Sequence, residues 1–390
     1  MAYAPIVSVR PALQLADVVG PGKTFNPRQP YLTTGISPDS DEDCDGFTGA
    51  YLVAAGPMRV MCHEAAATGA ARELLAMTGQ PVRAELLTYR DRTEYDDMLA
   101  RSGPGEVVYQ HLHPPEEAPP STYAVSRPLL AELTDKAVLH HVVDFAHLAR
   151  RRVVPTSELV RSVADDELPV VVKASCEESL GGGDGVRFCR TPADVARAAV
   201  DFAPAPAAVV EEMLDIVDNW CVNFAVRHDG VVQYLGAAEQ IVSPAGVYVG
   251  SRVGPPPWEE AVDLGYDIAD AARRRGYVGM AGFDIVRTAD GRTLALDLNF
   301  RFNACTAALL LREALVEWSG RPYGRVAGFR ANLPDGPLLE AVGRFVTERV
   351  FAPTGSFLPE SGARRVSGLV LADGWGEAEA TVARITAALA

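Results

Sequence analysis

Three oxygen-bearing side chains in the sequence GFDIVRTADGRTLALDLNFRFN, residues 282–303, have a spacing that could hold a metal ion. Asp297 and Asn299 are two residues apart on one predicted strand, so both project from the same face. An Asp-Gly turn predicts a hairpin that brings Asp284 across from them. Carboxylate and amide oxygens suit a hard divalent cation, and Arg301 adds an anion-binding group beside it. A solvated strand face is disfavoured because the flanking residues are apolar and buried carboxylates require partners.

A second candidate site is the stretch VVVKASCEESLGGGDGVRF, residues 170–188, in which a lysine ends an apolar run and a glycine run follows. The chain has 33 arginines and only three lysines. Each lysine is therefore a candidate for a role that an ammonium can fill and a guanidinium cannot. Lys173 could reach phosphates as a point charge, and the glycines let backbone N–H groups approach phosphate oxygens. The same stretch carries acidic side chains that would repel phosphate: Glu177, Glu178 and Asp184. Taken alone, it fits a ligand loop and a mobile hairpin equally well.

The segments that must position these residues alternate between strand-like and helix-like patterns. Up to residue 112, apolar strand segments alternate with helical ones, which predicts a parallel α/β domain. A proline-rich linker at 113–121 and a helical region at 129–151 follow, and most later segments up to residue 299 are predicted strands. Residues 330–390 read as a helix, an irregular loop, a strand and a helix, which predicts a small third module.

Composition narrows the possible functions. A length of 390 residues and a hydrophobic content of 48% allow a large core divided over two or three domains. The formal charge of −15 argues against nucleic-acid binding, which depends on basic patches. No run of about 18 apolar residues occurs, so no membrane helix is predicted. The six cysteines lack CxxC spacing and lie in apolar segments, which predicts reduced thiols in a cytoplasmic protein.

Four segments, taken in order, resemble the ATP-grasp enzymes. They are TDKAVLHHVV…VVP with Lys136, VVVKASCEESLGGGDGV with Lys173, AVVEEML before an adenine site, and the predicted metal-binding hairpin. The resemblance covers residues 134–312 and implies an α/β (α+β) ATP-grasp fold. Its parts would be an N-terminal α/β pre-ATP-grasp domain at 1–133, a lid subdomain with the glycine loop at 134–205, a central subdomain with the metal-binding hairpin at 206–325, and a small C-terminal module at 326–390.

The resemblance also implies a role for each matching residue. Phosphate contacts are expected from Lys136, Lys173, Gly181, Gly182 and Gly183. Adenine contacts are expected from Glu211, Glu212, Met213 and Leu214, and a ribose contact from Asp218. One or two Mg²⁺ ions, replaceable by Mn²⁺, are expected on Asp284, Asp297 and Asn299. Arg301 and Lys173 are the expected catalytic residues, which would act on the transferred phosphoryl group of ATP.

The chain departs from the family pattern at two positions, and other residues are candidates for substrate contacts. Asp297 stands where the family usually has glutamate, and Asn303 lies where small residues are usual, which predicts a reshaped acceptor pocket. Arg252 follows a predicted hairpin and is either a contact to a substrate carboxylate or phosphate, or a surface arginine. His111 and His113 alternate along a strand end that should face the cleft of the α/β domain.

The reaction implied by the resemblance is ATP-dependent ligation of a carboxylate to an amine through an acyl phosphate, with release of ADP and phosphate. The layout is similar to stand-alone peptide ligases of natural-product biosynthesis. Amino acids are therefore the expected substrates and a dipeptide the expected product. A homodimer is a further family expectation, and neither nucleic acid nor membrane is an expected partner.

Two alternative functions stay open. One is an ATP-grasp enzyme with another acceptor, either a ligase of purine or cofactor assembly or a kinase-like member. The other is a nucleotide-binding regulator without turnover. The regulator is disfavoured because a degenerate site would have lost several of the ionic groups named above, since burying them without a ligand is costly.

Overall fold

A computed structural model describes residues 9–80, 82–178, 180–243, 246–360 and 362–390. Its N-terminal part contains a parallel sheet with strand order β3-β2-β1-β4. The strands are β1 (Thr24–Asn26), β2 (Arg59–His63), β3 (Glu85–Tyr89) and β4 (Val107–Tyr109). The helices are α1 (Leu15–Val19), α2 (Asp41–Phe47), α3 (Leu52–Ala55), α4 (Gly69–Ala76), α5 (Arg92–Ala100) and α6 (Arg127–Thr134). Because the strands are parallel, the residues that follow β4 lie at the carboxyl edge of the sheet, where α/β proteins bind ligands.

The second sheet, called the lid sheet below, is antiparallel with strand order β5-β8-β6-β7. Its strands are β5 (Arg151–Pro155), β6 (Val170–Ser175), β7 (Val186–Cys189) and β8 (Ala207–Glu212), and its helices are α7 (Leu159–Ser162) and α8 (Pro192–Asp201). β6 is a fully buried run that pairs with β7 across the glycine loop, which confirms the predicted hairpin. β8 was predicted to lie beyond the boundary at 205/206, but it pairs with β5 and β6, so the lid sheet extends to Glu212.

The third sheet, called the central sheet, has strand order β13-β12-β9-β10-β11-β14-β16-β15. Its strands are β9 (Ile216–Val226), β10 (Val232–Val242), β11 (Tyr248–Val253), β12 (Gly279–Thr288), β13 (Thr293–Asn299), β14 (Tyr323–Ala331), β15 (Phe351–Phe357) and β16 (Arg364–Ala372). Its helices are α9 (Glu259–Arg274), α10 (Thr306–Ser319), α11 (Asp335–Thr347) and α12 (Trp375–Leu389). The predicted hairpin of β12 and β13 is confirmed, with Asp284 directly opposite Asp297.

Helix α9 shows how the central sheet acquires its core. Apolar residues at three- and four-residue spacing are buried on one face: Ala261, Leu264, Ile268 and Ala272. Gly265 lies between them, and an added Cβ there would approach the Phe224 ring to 2.6 Å, so the helix packs this closely because residue 265 has no side chain. None of the helices in the described ranges, α9 included, is long and apolar enough to cross a membrane.

The C-terminal segment differs from its predicted form. Residues 351–357, predicted as an irregular loop, form β15, and the strands of this segment extend the central sheet instead of forming a separate module. The predicted boundary at 325/326 falls inside β14. β15 accommodates Pro353 and Gly355 because it is an edge strand whose register shifts at those residues. Its Phe351 shares one core with Leu315 of α10.

The helical region predicted at 129–151 is interrupted. α6 ends at Thr134, and short 3₁₀ turns follow at Lys136–His141 and Phe145–His147. The Asp135 side chain accepts a hydrogen bond from the Ala137 N–H at 2.9 Å, which competes with continuation of the α-helix. The break places Lys136 where its side chain reaches the cavity described next.

Candidate functional site

A cavity of about 340 Å³, called the main cavity below, lies between the lid sheet and the central sheet. Most of the residues predicted to bind ATP and metal line it. Those from the lid side are Lys136, Lys173, Gly181, Gly182, Gly183, Glu211 and Glu212. The others are Met213, Leu214, Asp284, Asp297, Asn299, Arg301 and Asn303. The tertiary fold therefore brings together residues that the sequence separates by well over a hundred positions.

Lys173 is held in place by a buried ion-pair network. Its ammonium lies 2.6 Å from a carboxylate oxygen of Glu211 and donates a hydrogen bond to the Leu296 carbonyl at 2.8 Å. Glu211 stands opposite Val171 in the β6–β8 ladder, so Lys173, two residues along β6, is its diagonal neighbour on the same face. The other Glu211 oxygen lies 3.4 Å from the Arg151 guanidinium. This carboxylate is therefore paired with two cations, as a buried charge requires.

Arg151 is a residue of this network that the sequence analysis did not identify. It lies on β5 opposite Glu211, and its guanidinium also donates to the Lys136 carbonyl. Burial lowers its pKa, and the Glu211 charge opposes that effect. The signal in the sequence is weak because Arg150, Arg151 and Arg152 stand together, and the strand register alone decides which of them faces the site.

The end of the main cavity beyond β8 is apolar. Met213 and Leu214 line it next to Val171 and offer the kind of surface against which a purine ring can pack. The Glu212 carboxylate lies 3.0 Å from Arg150 and 2.7 Å from Arg292. Burial opposes its ionisation, but these hydrogen bonds outweigh burial, so its pKa lies below the usual range.

Asp284 and Asp297 form the centre of the candidate metal site. Burial and the neighbouring Asp297 charge raise the pKa of Asp284 to about 7, and Gln240 donates a hydrogen bond to this carboxyl group at 2.5 Å. Burial also opposes ionisation of Asp297, but the Lys136 ammonium in contact with it outweighs burial, so the pKa of Asp297 lies below its usual range. Two adjacent carboxylates that disfavour each other's charge are stabilised by a divalent cation.

Asn299 adds an amide oxygen to this donor set. It lies two residues after Asp297 on β13 and lines the same cavity. The described ranges contain no cluster of three or more His, Cys, Asp or Glu side chains that could hold a metal. A cation here would therefore rest on two carboxylates, the amide and oxygens of a bound nucleotide. This all-oxygen set fits Mg²⁺.

A smaller cavity adjoins the main cavity and shares Lys136, Asp297 and Arg301 with it. Arg301 donates to the Phe302 carbonyl at 3.2 Å, and no carboxylate of the described residues pairs with it. His111, after β4, borders the small cavity, and its Nδ1 is buried without a hydrogen-bond partner in the described part of the chain. Burial and the Arg301 charge lower the pKa of His111 well below its usual value, so the imidazole is neutral. The same lining includes the Asp297 and Glu178 carboxylates, so an anionic ligand would have to lie against the unpaired Arg301 guanidinium.

Asn303 lies at the wall of the main cavity with an unused donor. Its Nδ2 is buried and has no acceptor among the described residues, whereas its backbone N–H donates to the Thr306 hydroxyl at 2.8 Å. A Cβ on Gly282 would lie 1.7 Å from this Nδ2, so the missing side chain at 282 makes room for the amide. A buried N–H group without an acceptor destabilises the protein, and a ligand oxygen in the cavity would satisfy it.

Replacing Gly282 by alanine is expected to displace Asn303 and to lower the free energy of unfolding by about 1–3 kcal/mol, the usual cost of overpacking. The added Cβ would also lie 3.1 Å from Asn223 Oδ1, so the crowding involves two amides. Urea unfolding of both proteins measures the effect. Gly336→Ala is the control, because nothing lies within 4 Å of its added Cβ and a stability equal to or slightly above wild type is expected. An unchanged midpoint for Gly282→Ala would contradict this packing.

Asp218 and Arg252 lie outside the linings of both cavities. The Asp218 carboxylate accepts a hydrogen bond from Arg287 Nε at 2.7 Å across β9 and β12. Arg252, on β11, lies 3.3 Å from Glu239 and over the Trp375 ring. Both side chains form ion pairs with residues of adjacent strands, so the predicted substrate and ribose contacts at these two positions have no support in the cavity linings.

His113 is buried within the N-terminal part. Its Nδ1 lies 2.8 Å from Glu117 and its Nε2 lies 3.1 Å from the Arg28 carbonyl, so both ring nitrogens have partners. Of the two alternating histidines, His111 is the one that borders the small cavity. Residues two apart on a regular strand would share a face, but β4 ends at Tyr109, so the irregular segment after it places the two histidines in different surroundings.

Two family models match the chain. The model described as "L-aspartate--L-methionine ligase N-terminal domain" matches residues 14–131. The model described as "L-aspartate--L-methionine ligase, ATP grasp" matches residues 149–299. Together these matches include the parallel sheet, the lid sheet and the candidate metal site.

Solved structures of two carboxyaminoimidazole synthetases and a biotin carboxylase domain share the fold at low sequence identity. An N5-carboxyaminoimidazole ribonucleotide synthetase in complex with ADP is 17% identical over 96% of this chain and 97% of its own, with a TM-score of 0.56. The N5-carboxyaminoimidazole synthetase from Staphylococcus aureus, with ADP, is 9% identical over 94% and 97%, with a TM-score of 0.59. A biotin carboxylase domain of the 2-oxoglutarate carboxylase from Hydrogenobacter thermophilus is 12% identical over 93% and 89%, with a TM-score of 0.53. These similarities confirm the predicted α/β architecture of the ATP-grasp type.

Proposed function

Since this chain belongs to the ATP-grasp superfamily of ligases, which form carbon–nitrogen bonds and release ADP, we propose that its substrates are L-aspartate and L-methionine. The chain is an ATP-dependent ligase that forms an amide bond through an acyl phosphate. The choice of amino acids is supported by the description of the two family models. The aspartate would supply the carboxylate and the methionine the amine.

We place ATP in the main cavity, with its adenine against Met213 and Leu214. The phosphates would lie under the glycine run and beside the ammonium groups of Lys136 and Lys173, which lose mobility through their ion pairs with Asp297 and Glu211. Phosphoryl transfer requires positioning and charge neutralisation more than covalent assistance, and preorganised cations provide both.

The enzymes of this superfamily use ATP and Mg²⁺, and we assign one or two Mg²⁺ ions to Asp284, Asp297 and Asn299. When bound, Mg²⁺ neutralises charge on the phosphate oxygens of ATP. Lys136 contacts Asp297 in the structure, so we expect the ammonium to share this carboxylate with the cation.

The small cavity has a volume of about 20 Å³, enough for one oxygen-sized group, so the carboxylate of aspartate would lie at its mouth and point one oxygen between Arg301 and His111. One of its oxygens attacks the γ-phosphorus of ATP, a P–O bond forms, and the bond to ADP breaks. Arg301 borders both cavities, so it can neutralise the phosphoryl oxygens and hold the attacking carboxylate. Because the His111 imidazole is neutral, it can hydrogen-bond the substrate carboxylate without forming an ion pair with it.

The neutral amine of methionine then attacks the acyl carbon, a C–N bond forms, the C–O bond to phosphate breaks, and the proton lost by the nitrogen leaves with the released phosphate. The free N–H group of Asn303 would donate to an oxygen of the substrates at the wall of the main cavity. The observation that carries the proposal is the position of Arg301, which no described carboxylate pairs with, at the place where the main cavity meets the small cavity.

The test is an assay of ADP, phosphate and product mass with Mg-ATP and L-aspartate, L-methionine or both. Amide formation is expected only with the pair, with a product mass equal to their sum less one water. Fragmentation of the product would show whether the α- or the side-chain carboxylate is joined. Turnover with other amino acids only would overturn the choice of substrates. ADP formed from a carboxylate alone would favour the kinase-like alternative, and ATP binding without turnover would favour the regulator.

A further inference from the structure

The glycine loop, which the structure describes at residues 176–178 and 180–185, carries three acidic side chains at a place where phosphate should approach: Glu177, Glu178 and Asp184. In the structure these side chains do not pair with the lysines of the main cavity. Each of them hydrogen-bonds a residue of the preceding N-terminal part instead. Because these carboxylates bond the N-terminal part, we expect them to have a role other than contact with the nucleotide.

The bonds join positions that are far apart in the chain. Glu178 accepts from the Thr34 N–H at 2.8 Å and also from the Thr34 hydroxyl. Asp184 accepts from the Ser37 hydroxyl at 2.9 Å. Glu177 accepts from Arg127 at 2.7 Å, and the same guanidinium donates to the His113 carbonyl at 3.0 Å. These bonds are called the loop anchor below.

An apolar contact reinforces the loop anchor. Ile36, which lies between Thr34 and Ser37, is 9% exposed and belongs to the core of the lid, together with Leu159 and Leu180. Exposed ion pairs alone contribute little to stability. The burial of Ile36 in the same segment therefore makes this contact more than a set of surface charges.

The other side of the loop contacts the central sheet. The Gly182 carbonyl accepts from the Tyr248 N–H at 3.2 Å, and an added Cβ on Gly183 would lie 2.9 Å from the Gly246 carbonyl oxygen. A Cβ added to Gly181 would lie 3.9 Å from the Arg301 guanidinium, so the loop also lies next to this side chain. The loop thus lies over the junction of the two cavities and is held from two sides.

We propose that Glu177, Glu178 and Asp184 are positioning residues, which hold the glycine loop closed over the acyl phosphate and so couple ATP consumption to amide formation. This inference rests on the proposed function, because it requires a water-sensitive intermediate. If water reaches the acyl phosphate, its oxygen attacks the acyl carbon, the C–O bond to phosphate breaks, and carboxylate and phosphate are released without an amide. A closed loop excludes that water.

The test compares Ser37→Ala, Asp184→Ala and their double variant, and adds Glu178→Ala. The readout is the amount of ADP formed per amide, together with the melting temperature, KM for ATP and, because Glu178 also lines the small cavity, KM for aspartate. Wild type is expected to form about one ADP per amide, and the Asp184 and Glu178 variants about three or more. Because Ser37 and Asp184 share one hydrogen bond, the double variant should uncouple no more than Asp184→Ala. Asp166→Asn removes a charge from an exposed site of the same lid and should behave as wild type.

A ratio that stays at the wild-type value in folded Asp184→Ala and Glu178→Ala would overturn the inference, and so would a change confined to KM for ATP. Ser37→Ala removes one hydroxyl oxygen, so it keeps the test valid if the acidic variants fail to fold. Failure of the proposed function is distinguishable, because wild type itself would then form no amide from aspartate and methionine.

Discussion

Arg301→Ala is expected to lower the rate of amide formation about 10³-fold while the fold stays intact, as removal of an arginine that stabilises a transferring phosphoryl group does elsewhere. The guanidinium borders both cavities, and its hydrogen bond in the structure goes to the neighbouring Phe302 carbonyl. Replacing the Arg301 side chain by alanine therefore leaves no described carboxylate without its partner, so the free energy of unfolding should barely change.

The measurement for Arg301 is kcat for ADP and amide formation beside the dissociation constant for ATP. The dissociation constant should change much less than kcat, because the interaction is strongest in the transition state. Arg301→Lys should recover part of the rate, since it keeps the charge and loses the planar fork. Arg330→Ala, at an exposed site on β14, is the matched control. A rate for Arg301→Ala close to wild type would remove the residue from the site.

Asp297→Asn is expected to lower turnover by about 10²- to 10³-fold, whereas Asp297→Glu should retain a larger share. The amide keeps the shape of the carboxylate but removes one of the two negative charges that would hold Mg²⁺. It also leaves the Lys136 ammonium with a neutral neighbour. The glutamate keeps the charge on a longer arm, so its main effect should be a higher Mg²⁺ requirement.

Activity measured against Mg²⁺ concentration separates the two Asp297 variants. Saturating Mg²⁺ should restore much of the Asp297→Glu rate and little of the Asp297→Asn rate. Asp290→Asn, which removes a carboxylate at the turn of the same hairpin and outside both cavities, is the control. Equal rates for the asparagine and glutamate variants would show that charge at 297 does not limit catalysis.

The fold followed from the sequence wherever local pattern decides structure. The β12–β13 hairpin was predicted because its turn and alternating apolar residues are all within 22 positions, residues 282–303, and the observed register matches the prediction. β15 was missed because Pro353 and Gly355 indicate a loop in isolation. Its position at the edge of the central sheet, next to β16, makes those residues acceptable, and that position depends on distant strands.

The sequence by itself determined which residues could do chemistry: the scarce lysines, the glycine run and the carboxylates of the hairpin. Only the tertiary structure decided how they are used, because their partners lie far away in the chain. It paired Glu211 with Lys173 and Arg151, separated His111 from His113, and engaged Asp218 and Arg252 in ion pairs outside the cavities. It also turned the acids of the glycine loop away from the lysines and onto the N-terminal part. Sheet order and strand register across the whole fold decide which charged side chains pair, and the local spacing of residues does not determine those pairs.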